Sequence, residues 1–280
     1  MNIFRLLLPF ILISISLCQG EEELTAKYQS QWVSFPACRM GRLQSPIRLN
    51  VTESIYSSSF AIVYQSYKTI NPKLDLEKFD VNKQYAIKSE NLDGGYIHFQ
   101  KGGVIKQYQL KRFELYQGLH YVDYNISDYE LHIVFEKNLG YVSNKNQYRR
   151  IQDANNYLVI ALRYNVTGGI TDNGLLKALT GNDFDLSKYP IFQDKKAYFY
   201  EGSFIYNPCK EDVNYLVIEP IFNAGTPVKT FNKYEAFKNY SLAYERPIYR
   251  NYMNFTESLS SLYSKPYVSI LFGIAIFICS

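Results

Sequence analysis

The sequence predicts a mainly β fold in a single domain, and three observations lead there. Short segments alternate apolar and polar residues or run β-branched and aromatic. Aromatic residues are abundant, with 27 Tyr and 18 Phe in 280 residues. Long stretches of helical period are scarce. Aromatic and β-branched side chains suit half-buried pleated surfaces. A strand shows as a period of two, a helix as a period of 3.6. Strands are therefore expected at Tyr85-Ala-Ile-Lys, Tyr108-Gln-Leu-Lys, Glu130-Leu-His-Ile-Val-Phe, Tyr157-Leu-Val-Ile-Ala-Leu and Tyr215-Leu-Val-Ile. The segment Gly174-Leu-Leu-Lys-Ala-Leu is expected to form a short helix. No repeat, low-complexity tract or Pro/Gly-rich linker divides the chain, and its length suits one domain with a sizeable core.

Both ends read as targeting signals. Arg5 precedes an apolar run from Leu6 to about Leu17, followed by Gly20 and the acids Glu21 to Glu23. A basic start, a short apolar run and a small residue at a polar boundary describe a secretory signal peptide, residues 1–20. A buried N-terminal helix fits poorly, since no charge interrupts the run to make an outer face. Residues 267–280 are apolar, and Ser258, Ser260 and Ser261 stand before them across a short spacer. This is the arrangement of a lipid (GPI) attachment signal, with Ser258 as attachment site and 259–280 removed. A short membrane span or a buried strand are the alternatives. The expected mature domain is 21–258, placed on the extracellular face of the cell membrane by its lipid anchor. The formal charge of +4 includes Arg5 and Lys265 of the removed ends. What remains is too weak a positive balance to imply nucleic acid as a partner.

The secretory reading gives the cysteines and sequons meaning. Asn50, Asn125, Asn165, Asn239 and Asn254 each begin an Asn-X-Ser/Thr sequon and are candidate glycosylation sites. Of four cysteines, Cys18 falls in the signal and Cys279 in the tail, leaving Cys38 and Cys209. Two cysteines in an oxidising compartment usually pair, with two buried free thiols as the alternative. Closing so long a loop stabilises by about 5 kcal/mol in a chain-entropy model.

The stretch from Trp32 through Cys38 and Gly41 to Gln44-Ser45-Pro46-Ile47 resembles the N-terminal signature of the α-carbonic anhydrases. Gly202-Ser203-Phe204-Ile205-Tyr206-Asn207-Pro208-Cys209 resembles a later loop of the same family, Glu219-Pro220-Ile221 its Glu-Pro-Ile strand end, and Arg246-Pro247 its Trp-Arg-Pro element, with Glu245 where the family has Trp. In order and spacing the likeness runs from Gln31 to Asn254. It implies a large twisted, mostly antiparallel sheet with short peripheral helices. It also implies a disulfide from Cys38 to Cys209.

The same resemblance makes the chemistry doubtful. The family holds zinc with three imidazoles, two on alternate residues of one strand and one on its neighbour. The metal lowers the pKa of bound water to about 7 for attack on carbon dioxide. Alternate residues share a face, yet the matching positions here are Glu114, Tyr116 and His132. Tyrosine, with a pKa near 10, is a poor ligand at neutral pH. Of the three histidines, His98 lies outside the motif and His120 matches a structural family histidine. The family threonine that orients hydroxide matches Ile205, and its partner Glu matches Leu119. The proton-shuttle histidine matches Tyr85. Glu130, partner to a metal histidine, and Val159 of the carbon dioxide pocket are retained. The resemblance thus implies a catalytically silent ectodomain with no catalytic residue and no cofactor. Such a domain would act as a binding or surface-coat module toward an extracellular ligand or protein. The altered cleft around Glu114, Tyr116, His132 and Tyr206 is expected to be filled core rather than a ligand pocket. The alternative is a carbonic anhydrase with an atypical zinc site built on Glu114 and His132.

Overall fold

The computed structural model describes residues 41–74, 87–89, 92–138, 155–166, 168–181, 183–189, 195–205, 209–225 and 246–253. The expected signal peptide, Cys38, Tyr85, Tyr206, Asn239, Asn254, Ser258 and the tail 259–280 lie outside them. Among the described residues no helix is long and apolar enough to cross a membrane.

Among the described residues thirteen strands follow in chain order: β1 (Arg48–Leu49), β2 (Ile55–Tyr56), β3 (Phe60–Tyr67), β4 (Ile87–Ser89), β5 (Gly95–Lys101), β6 (Val104–Gln117), β7 (Tyr121–Val122), β8 (Asn125–Ile126), β9 (Tyr129–Lys137), β10 (Tyr157–Asn165), β11 (Ala197–Gly202), β12 (Val213–Asn223) and β13 (Tyr249–Arg250). The expected helix forms as α1 (Leu175–Ala178), and a 3₁₀ turn covers Leu186–Lys188. One ten-stranded sheet runs β2-β13-β11-β12-β10-β9-β6-β5-β3, with β4 pairing β6 off that path. Its pairings are antiparallel except β10 with β12 and β13 with β2. A three-stranded sheet, β1-β7-β8, sits apart. The mainly β, mostly antiparallel architecture expected from the sequence is the one observed.

The central strands are covered on both faces, so their alternation in sequence does not become alternation of exposure. Leu131, Ile133 and Phe135 of β9 join Leu158, Ile160 and Leu162 of β10 in the larger apolar cluster. Val134, Val159 and Ala161 point the other way, into a second cluster with Tyr116, Tyr198, Tyr200, Tyr215 and Val217. This second face carries the candidate site.

Two local features place that face. The β5–β6 hairpin closes through Gly102 and Gly103, both at positive φ, which suits a two-residue turn between twisted strands. Further along β6 the register against β9 shifts between Leu110 and Arg112. Tyr108 and Leu110 before the shift face the larger cluster, as do Phe113 and Leu115 after it. One extra residue has changed the parity, as a β-bulge does. Arg112, Glu114 and Tyr116 therefore share the second face.

Candidate functional site

Residues matching the expected site come together on β6 and β9. Glu114 pairs in register with His132, and Tyr116 with Glu130. His132 faces Ala161 of β10 on its other side. Glu114 and His132 are each 1% exposed and Tyr116 is 6% exposed, so the site lies closed within the molecule. Ile205 and Leu119 are buried in the same neighbourhood.

Two hydrogen-bonded groups make up the site. The first is a carboxylate held on both oxygens. Arg112 Nε donates to Glu114 Oε1 at 2.6 Å, and Tyr116 Oη donates to Glu114 Oε2 at 2.8 Å. The Arg112 guanidinium also lies over the Phe204 ring, 5.3 Å from its centroid. Tyr116 in turn tilts against His132 with ring centroids 4.9 Å apart.

The second group is centred on Glu130, which is fully buried. Its Oε1 lies 2.5 Å from His120 Nδ1 and 2.6 Å from His132 Nε2, and its Oε2 accepts from the His120 backbone N–H at 2.9 Å. The other His120 nitrogen, Nε2, is 2.6 Å from the Tyr200 hydroxyl. Tyr200 Oη reaches Ser45 Oγ at 3.2 Å, and its ring stacks on Tyr215 at 5.0 Å between centroids. The Arg246 guanidinium lies over the Tyr200 ring, 5.5 Å from its centroid. It donates to the Glu201 and Gln44 carbonyls, tying the Gln44-Ser45 segment to β11. Gly202 is required here, since a Cβ would meet Ser45 Oγ at 2.2 Å.

The electrostatics follow from this bonding. Burial alone would raise the Glu130 carboxyl, but the His120 and His132 N–H groups outweigh it and hold the group well below the usual carboxylate range. Burial pushes His120 down, against the pull of Glu130, so its imidazole is favoured neutral. Burial likewise drives the Tyr200 and Tyr215 phenols up, leaving them protonated. The network is a relay of polar groups linking His120, in the turn after β6, to β9, β11 and the segment at Ser45.

His120, Glu130 and His132 also form the one group of three potential metal donors among the described residues, with donor atoms within 4.8 Å of one another. Glu114 is not part of it. His98, expected outside the site, sits on β5 beside Tyr64 and Tyr96. Val159 is buried on the site's face. Cys209 is disulfide-bonded; its expected partner, Cys38, lies outside the described residues. Sequence reasoning missed Arg112 and Tyr200. The first is turned into the site by the bulge, for which β6 offers no sequence mark, and the second carries no motif of its own.

Comparison with known proteins places this arrangement. No curated protein sequence matches the chain. Solved structures share its fold at low identity. The α-carbonic anhydrase from Thermovibrio ammonificans, in complex with the inhibitor sulfanilamide, is 20% identical with a TM-score of 0.52, over 78% of this chain and 91% of that one. A halotolerant carbonic anhydrase from Dunaliella salina is 18% identical with a TM-score of 0.54, over 80% and 97%. Dioscorin, complexed with ascorbate, is 17% identical with a TM-score of 0.53, over 80% and 91%. The family model for eukaryotic-type carbonic anhydrase matches residues 27–254, and the chain belongs to that family.

Proposed function

We propose that this chain is a catalytically silent carbonic anhydrase-like domain, displayed at the cell surface as a binding or coat module. The observation that carries the reading is the closed Arg112–Glu114–Tyr116 group where the family places two of its zinc-binding imidazoles. Zinc is the metal the family implies, and the donors present do not fit it. Both oxygens of Glu114 are engaged, one of them by a cation. The His120–Glu130–His132 group fits no better. Its oxygen-to-nitrogen separations are 2.5 and 2.6 Å, the lengths of hydrogen bonds. Tetrahedral zinc ligands at their usual bond lengths stand roughly 3.3 Å apart. Ile205 supplies no hydroxyl to orient an attacking oxygen. Dioscorin, a structural neighbour whose crystals hold ascorbate, supports a binding role for this scaffold.

The surface role draws on the signals at the two ends and on one accessible sequon. Asn125 is exposed at the start of β8. Asn50 is 6% exposed, its Oδ1 accepting from the Thr52 N–H and hydroxyl and its Nδ2 donating to Tyr124 Oη. A bulky glycan suits the first place and not the second. Glycopeptide mapping of secreted protein is expected to find Asn125 occupied and Asn50 bare; an occupied Asn50 would contradict this.

The function itself is tested on residues 21–258 secreted from an oxidising host. Metal content by native mass spectrometry and carbon dioxide hydration are read on the same sample. The expected result is no stoichiometric zinc and no rate above buffer. One zinc per chain with hydration blocked by a sulfonamide would sink the reading.

A further inference from the structure

The geometry points to Arg112 as a resident cation that keeps metal out of this cleft, so that restoring the histidines alone does not restore a zinc site. The inference rests on the silent-domain reading and adds the reason for it.

Three observations carry it. The bulge between Leu110 and Arg112 places the guanidinium on the same face as Glu114 and Tyr116. Packing fixes it there: its side chain is 12% exposed, it bonds Glu114 at 2.6 Å, and it covers the Phe204 ring at 5.3 Å. Its position is two residues along the strand from Glu114, roughly 7 Å of backbone rise. An imidazole substituted at 114 would therefore share its face with a permanent positive charge. A guanidinium stays protonated at any ordinary pH. A dication at the centre of 114, 116 and 132 would be repelled by it in a site closed from water, where screening by salt is weak. In the present chain the same charge is what Glu114 answers. The carboxylate and the cation balance one another within one strand.

The inference is tested on the secreted domain with three variants and the unsubstituted chain. The variants are Glu114→His/Tyr116→His, that pair with Arg112→Gln, and that pair with Lys111→Gln. Lys111 is the neighbouring cation on β6 and pairs with Glu136 at 3.6 Å, so it controls for loss of charge in general. Zinc dissociation constants are read by competition with a chromogenic chelator, and stoichiometry by native mass spectrometry. Circular dichroism and melting check that each variant folds. The triple variant with Arg112→Gln is expected to bind one zinc at least tenfold more tightly than the double variant, and Lys111→Gln to leave the double variant's affinity unchanged. Equal zinc affinity with and without Arg112 overturns the inference. So does an equal gain from Lys111→Gln. If the double variant does not fold, Glu114→His with and without Arg112→Gln puts the same question, with the same expected direction. Stoichiometric zinc on the unsubstituted chain would contradict the silent-domain reading separately, while the ratio between the paired variants still decides the role of Arg112.

Discussion

Replacing Glu130 with alanine is expected to lower stability by about 3–5 kcal/mol, the range for removing one partner of a buried charged network. Glu130 receives the His120 ring and backbone N–H groups and the His132 ring, all buried from water. Its removal leaves three donors without an acceptor, each with its desolvation penalty uncompensated. Glu130→Gln keeps the shape but turns an NH₂ group toward an N–H, so a loss of about 2 kcal/mol or more is expected even there. Chemical denaturation followed by tryptophan fluorescence and circular dichroism measures both. A loss under about 1 kcal/mol for Glu130→Ala would contradict the network.

The same residues set the acid response of the unsubstituted domain. Glu130 is held below its ordinary value, so its contribution is complete above about pH 4.5 and is lost as pH falls through its folded value. His120 is also held down, so its neutral form favours folding above about pH 6.5, and that advantage erodes as pH falls below it. Both act in one direction. Stability should decline from pH 7 toward pH 5 through His120, then more steeply as Glu130 protonates. In Glu130→Ala the second, steeper part should be absent.

Arg112→Ala is expected to cost about 3 kcal/mol at pH 7, because it strands the Glu114 carboxylate at 1% exposure. Tyr116 still donates to it, but no cation remains from that pair. Denaturation of both proteins at pH 7 reads the cost directly. A cost that Glu114→Gln leaves unchanged would mean that Arg112 contributes packing over Phe204 rather than charge. Glu114→Gln combined with Arg112→Ala should recover part of the loss at pH 7, since no charge is then stranded.

Much of the fold was legible because strand period and aromatic content act locally. The segments at Tyr108, Glu130, Tyr157 and Tyr215 lie within β6, β9, β10 and β12, and the short helix forms where Leu175 and Leu176 need burial. The opposition of Glu114 and His132 was also legible, because the resemblance put them on neighbouring strands. Arg112 was not. A strict period of two from Tyr108 and Leu110 would send it to the larger core, where a guanidinium has no place. The added residue at the bulge reverses that parity, and β6 carries no glycine there to announce it. Tyr200 escaped for a different reason. Its hydroxyl matters only because β11 runs beside the Ser45 segment, a contact between residues far apart in the chain. The donor group His120–Glu130–His132 shows the reverse difficulty. By composition it suggests a metal, while its separations of 2.5 and 2.6 Å are hydrogen-bond lengths that the sequence gives no sign of.

On the silent-domain reading, the chain balances its own buried charge at this site and needs no ion to fold. Thermal unfolding of the secreted domain with excess chelator, and again with zinc at a hundredfold excess over protein, decides this. A ligand that binds only the folded state raises stability by about 2.7 kcal/mol at a hundred times its dissociation constant. The same midpoint, within about 1 °C, is expected in both conditions. A midpoint several degrees higher with zinc, or a domain that melts early in chelator, would contradict it.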